Sequence, residues 1–156
     1  GCYSRPETGN HILIGSEDPE CDERIFVDPD NWDENFTEQW KTQVLRQAQR
    51  YPNLPISNNV KGVVSLYDVT DDWIPIYDKS DLPGFYMAIG TSGNQFKNAP
   101  VAGVLMSELI EYCENGNNHD TEPLTINLKY INKDINLKFY SRNRQINEES
   151  SMSVLG

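Results

Sequence analysis

Cationic residues are scarce in this sequence. Thirteen Lys and Arg stand against 24 Asp and Glu in 156 residues, a formal charge of -11. A chain of that sign repels polyphosphates, so nucleic acid and anionic membrane surfaces are excluded as partners held by bulk electrostatics. Cysteine is sparser still: Cys2, Cys21 and Cys113 are odd in number and form no CxxC pair. Neither a disulfide framework nor a zinc site is expected, and a reducing, cytoplasmic compartment is the default. His11 and His119 stand alone, with no Ser or Cys nucleophile pattern beside them, so no triad and no metal site is predicted. Long apolar runs are missing, since the aliphatic and Gly stretch 101–106 falls far short of the ~18 residues of a membrane span. The first nine residues are polar and hold no signal-peptide core. The dinucleotide fingerprint GxGxxG is absent, and residues 93–97 lack the Gly that a phosphate loop places before its Lys.

What is present centres on residues 90–110, GTSGNQFKNAPVAGVLMSELI. A strand over 85–89 runs into Gly90, which with Gly93 permits backbone conformations that other residues resist, so the loop is able to approach a flat ligand closely. Pro100 suits the first turn of a helix, and Val101, Val104, Leu105, Leu109 and Tyr112 recur at helical spacing, which predicts one buried face. The unpaired N–H groups and partial positive charge of that helix start favour an anion or an electron-rich carbonyl.

The remaining chain predicts a short hairpin (2–5 and 11–14), then an acidic surface loop over 16–34 interrupted by Pro19 and Pro29. Asp28, Asp30 and Asp33 lack the ligand spacing and Gly of a calcium loop, because Trp32 intervenes. Asn35 or Thr37 caps a helix to about residue 51, with Phe36, Trp40, Val44, Ala48 and Tyr51 as its buried stripe. Residues 61–66 predict a strand, 68–74 a turn and 75–78 an edge segment. Asn115 and Gly116 end the central helix, and two alternating runs, 124–130 and 135–140, predict a hairpin. The expected architecture is one α+β domain over 1–156, with a mixed or antiparallel sheet and two main helices, in segments 1–60, 61–116 and 117–156.

The strand, Gly loop and helix resemble the C-terminal flavin-contacting segment of the D-amino-acid oxidase-like FAD-dependent oxidoreductases, such as sarcosine oxidase, glycine oxidase and dimethylglycine dehydrogenase. Residues 66–76, LYDVTDDWIPI, resemble the family's strand, turn and Pro segment beside the flavin, and residues 3–9 with 12–15 resemble a hairpin of its substrate-binding sheet. The resemblance implies the C-terminal portion of such an enzyme, without the Rossmann half that grips the FAD pyrophosphate. It implies FAD contacts at Gly90, Thr91, Ser92, Gly93, Asn94, Gln95 and Phe96, and oxidation of an amine or amino acid by hydride transfer to the flavin. Lys97 falls where relatives hold the substrate carboxylate, and Tyr67 where they contact substrate. Ser65 stands in place of the cysteine that bonds flavin in some relatives, so FAD is expected to be non-covalent. Asp72 precedes the Pro segment as family aspartates do, but with Asp71 beside it a turn-capping side chain is the preferred reading. The partners implied are a small amine or amino acid and an N-terminal FAD-binding domain. The alternative is a non-enzymatic interaction module that forms a homodimer through the helix face at 100–112.

Overall fold

The computed structural model describes residues 2–16, 25–56 and 60–152. Parts of the predicted acidic loop, including Cys21, and the end of the tail lie outside them. Contacts group the chain into two compact units, Gly1–Leu66 and Tyr67–Gly156. Regular structure comprises two helices and three separate two-stranded antiparallel sheets, so no mixed sheet forms among the described residues.

In the first unit, β1 (Cys2–Glu7) pairs with β2 (His11–Ser16), Tyr3 opposite Gly15. The turn at 8–10 places Gly9 and Asn10 at φ 69° and 60°, and each strand runs two residues further than predicted. Pro6 is tolerated because a two-stranded hairpin has only edges. Helix α1 (Glu38–Ala48) is capped by Thr37, whose hydroxyl accepts the Trp40 N–H at 3.1 Å. It is shorter than expected, and Tyr51 beyond it is exposed, its hydroxyl bonded to Ser4. Val44, Gln47 and Ala48 form the buried stripe, with Gln47 donating to the Ser4 hydroxyl at 3.3 Å. Phe36 stacks on Trp40 at 4.4 Å. Asp28 and Asp33 spend their carboxylates on neighbouring N–H groups at 2.9 Å.

The predicted strand at 61–66 does not form. Residues 60–70 take neither helix nor strand, and Val63 is 89% exposed: an extended run without a ladder partner stays irregular.

In the second unit, β3 (Ile76–Lys79) pairs with β4 (Tyr86–Ile89), and α2 (Ala99–Glu114) covers them. The core is Tyr77, Leu105, Leu109 and Leu137, with Ala102, Met106, Cys113, Leu124, Ile126, Ile135 and Tyr140 around it. The buried face of α2 is therefore 102, 105, 106, 109 and 113. Val101 and Val104, predicted inside, are 45% and 50% exposed. Helix α2 is apolar on nearly every side, so periodicity alone could not choose the face; docking on Tyr77 and Leu137 chose it. β5 (Thr125–Leu128) and β6 (Lys133–Asn136) form a hairpin where one was predicted, with β6 beginning two residues before the expected run at 135. Its second strand stops early, because the Asn136 side chain accepts the Lys138 N–H at 2.8 Å and opens a 3-10 turn, Leu137–Tyr140, that sinks Leu137 into the core.

His119 is buried beside this core. Its Nδ1 accepts the Leu124 N–H at 3.2 Å, which assigns the proton to Nε2, and Nε2 has no hydrogen-bond partner although Asp78 Oδ1 lies 3.8 Å away. Burial pushes its pKa down, against the pull of Asp78 and Asp120. A base whose folded pKa lies below its unfolded value stabilises the fold above the unfolded value and loses that contribution as pH falls. Urea midpoints are therefore expected to drop below about pH 6.5. In His119→Asn, whose amide oxygen replaces Nδ1 as acceptor, that limb should vanish; an unchanged pH profile would refute the assignment.

Candidate functional site

The loop between β4 and α2 is built by Asp68. Its Oδ2 accepts the Gly90 and Thr91 N–H groups at 2.8 and 3.1 Å, its Oδ1 accepts the Thr91 hydroxyl at 2.5 Å, and its carbonyl takes the Ser92 N–H at 3.0 Å. Burial raises the Asp68 pKa, but these bonds from Thr91 and Gly90 outweigh it and leave the carboxyl below its ordinary value. Gly90 and Gly93 take φ 69° and 74°. Ser92, at φ 48°, is fully buried and donates to the Gly90 carbonyl at 3.3 Å.

Residues Gln95–Asn98 form a 3-10 turn that leads directly into α2, with Pro100 in the first turn of the helix. The positive end of the helix thus moves back from Pro100 toward Gln95. The N–H groups of Gly90, Thr91 and Ser92 are turned onto Asp68, and that of Asn94 bonds the Thr91 carbonyl at 3.2 Å. The first N–H groups of a helical turn have no partner within it, so Gln95 and Phe96 join Gly93 as the donors this loop has to offer.

These donors border a pocket of about 640 Å³ within the second unit. Tyr67, Thr91, Gly93, Gln95 and Phe96 form its loop side, Tyr77 and Ala88 come from the hairpin, and Ala99, Ala102, Gly103 and Met106 from α2. Gln95 is held on every side: its Oε1 accepts from the Tyr77 hydroxyl at 3.3 Å and Asn98 Nδ2 at 2.9 Å, and its Nε2 donates to Asn94 Oδ1 at 2.5 Å. Burial raises the Tyr77 pKa, so the phenol stays a donor at neutral pH. The space over Gly93 is taken by Tyr67, since a Cβ there would lie 2.7 Å from the tyrosine ring. The close approach that Gly93 permits is to the chain's own tyrosine.

Of the residues singled out in the sequence, the pocket gathers Tyr67, Thr91, Gly93, Gln95 and Phe96. Gly90 and Ser92 shape the loop from behind, Asn94 orients Gln95, and Lys97 is exposed and outside the lining. Tyr77, Ala102, Gly103 and Met106 were missed. Their signal was available as small residues at 99, 102 and 103 along one stripe of α2, which leave room rather than fill it.

A second cluster was also missed. Arg144 grips the buried Asp72 through Nε at 2.9 Å and NH2 at 2.6 Å, and donates to the Ile74 carbonyl at 2.7 Å. Asp72 also accepts the Ile74 N–H at 3.1 Å, the turn-capping bond expected of it. Arg142 joins Asp78, Asp81 and Asp120 at 3.2, 2.6 and 2.9 Å, and Lys79 meets Asp120 at 2.5 Å. Bonds from Arg142 and then Lys79 lower the Asp120 pKa to about 2. These residues anchor the tail beneath the loop at 68–76. Among the described residues no group of three or more metal-ligating side chains occurs, and no helix is long and apolar enough to cross a membrane.

A loop tied to Asp68, a helix start and an open pocket with no charged residue in its lining make up the candidate site within an α+β unit. The family model for FAD-dependent oxidoreductases of the DAO type matches residues 1–109, more than half of the chain and every site residue up to α2. The chain belongs to that family. No curated protein and no solved structure matches it.

Proposed function

We propose that this chain is the flavin-facing part of an FAD-dependent oxidoreductase that oxidises an amine or amino acid, with the isoalloxazine ring in the pocket bordered by Gly93 and α2. The observation that carries this reading is the set of N–H donors at Gly93, Gln95 and Phe96 beside an uncharged cavity, within residues the family model covers. The cavity has the size of a small-molecule site, and two tyrosines suit a flat, neutral ring. No Lys or Arg lines it to neutralise a pyrophosphate, and the GxGxxG grip does not occur in the 156 residues. The fit is to the ring end of FAD, held without a covalent bond, and these residues alone are proposed to turn nothing over.

FAD, when bound, supplies the hydride acceptor. The chain's residues position and polarise. The three N–H groups, backed by the α2 dipole, donate to an electron-rich carbonyl and stabilise negative charge that develops there. Ala102 and Met106, half-buried, form the apolar wall beside those donors. Gln95, fixed by Tyr77 and Asn98, keeps the turn in register without spending a backbone N–H.

Titration of the purified chain with riboflavin, followed by flavin fluorescence, tests this. Saturable quenching near 10 μM, about 7 kcal/mol of binding, is expected. FAD should bind within about tenfold of riboflavin, because no cation lines the pocket to hold its phosphates. A chain that binds no riboflavin and runs as a homodimer in light scattering would replace this reading with the interaction module, for which the exposed Val101 and Val104 would be the contact.

A further inference from the structure

The two glycines of the site loop face the chain itself. A Cβ built on Gly93 would press on the Tyr67 ring, and one on Gly90 would collide with the Thr70 methyl. Residues 67–70 therefore lie along residues 90–93, close enough to exclude a side chain at either glycine. Asp68 sits between those two contacts. Gly90 and Ser92 are both buried, and a buried N–H left without a partner is costly. Asp68 accepts both, Gly90 on Oδ2 at 2.8 Å and Ser92 on its carbonyl at 3.0 Å, and its carboxylate also takes the Thr91 N–H and hydroxyl.

No ladder imposes this arrangement, since residues 60–70 take neither helix nor strand. The loop meanwhile takes positive φ at Gly90, Ser92 and Gly93, at 69°, 48° and 74°. A serine in that region persists only where its surroundings hold it. Asp68 lies outside the pocket lining, whereas Thr91, which it holds, is part of it.

We infer that Asp68 is the positioning residue of the flavin loop, and that it acts through the bonds its oxygens accept and not through its charge. Asp68 is exposed, so water screens the charge, while the bonds fix the direction in which the loop delivers the Gly93, Gln95 and Phe96 N–H groups. This rests on the flavin reading and deepens it: a residue outside the lining sets affinity for the ring.

Asp68→Asn and Asp68→Glu separate the two causes. Asparagine keeps the geometry without the charge, because its oxygen takes the two N–H groups and its amide donates to the Thr91 hydroxyl, which turns to accept. Glutamate keeps the charge but carries it one carbon further out. In riboflavin titrations Asp68→Asn should stay within about threefold of wild type, and Asp68→Glu and Asp68→Ala should bind at least about tenfold more weakly. Amide hydrogen exchange reads the loop without a ligand. Gly90 and Thr91 should be protected in wild type and Asp68→Asn and exchange at least about tenfold faster in the other two, with Leu105 and Leu109 of α2 unchanged. Wild-type affinity in Asp68→Glu together with weak binding in Asp68→Asn would replace the inference with a role for charge. Equal exchange in all four proteins would overturn it, as would faster exchange spread through α2, which would make Asp68 a support of the whole unit. A wild type that binds no riboflavin removes the flavin reading, and the exchange pattern still decides whether Asp68 positions the loop.

Discussion

Gly103→Trp is expected to abolish riboflavin binding in a protein that remains folded. Gly103 lies inside α2 and lines the pocket, and a Cβ built on it meets nothing within 4 Å. Glycine inside a helix costs about 0.5–1 kcal/mol relative to alanine. Packing does not demand glycine here, so the open space beside it is what a larger side chain would take. Gly103→Ala should raise stability by about 0.5–1 kcal/mol and change riboflavin affinity little. Gly103→Trp should keep the melting temperature while its indole occupies the cavity and weakens binding by more than tenfold. Thermal melts and fluorescence titration of the two variants separate fold from site. An unchanged riboflavin affinity in folded Gly103→Trp would place the ligand elsewhere.

Arg144→Ala is expected to destabilise the second unit by about 3–5 kcal/mol, because it leaves the Asp72 carboxylate buried without its counter-ion. That is a large share of the 5–15 kcal/mol that holds a typical domain. The N–H groups of Ile74 and Asn147 still reach Asp72, at 3.1 and 3.3 Å, but they bring no positive charge. Asp72→Asn should cost less, since an amide is cheaper to bury than an unpaired charge, and the double variant should fall short of the sum. Urea unfolding of the four proteins measures the cycle. Arg144, and then burial working against it, sets the Asp72 pKa, with the net result well below the usual carboxylate range. A carboxyl depressed in the fold adds stability above its unfolded pKa and loses it as pH falls toward the folded value. The pair is therefore fully effective above about pH 4 and fails below it, a window separate from that of His119. An Arg144→Ala variant with wild-type acid sensitivity would refute the account.

Several features of this protein were legible in local sequence because their causes are local. Thr37 three residues before Trp40 caps α1, Gly9 and Asn10 turn the first hairpin, and Asn115 with Gly116 closes α2. The Gly loop ahead of Pro100 marked the candidate site, and the residue pattern over most of the chain marked the family. The tertiary structure alone decided the rest. Residues 61–66 have strand composition, yet a strand exists only with a neighbour to bond. Leu137 follows an alternating run, yet the Asn136 cap and the pull of the core turn it into a 3-10 segment. The orientation of α2 depended on Tyr77 and Leu137, which lie far from it in sequence. Arg142 and Arg144 look like solvated tail residues until Asp78 and Asp72, more than sixty residues earlier, are brought against them. Periodicity and capping report what a segment does within a few residues of itself. Which face it buries, which charges it pairs and where it leaves a cavity depend on partners that meet only once the chain has folded.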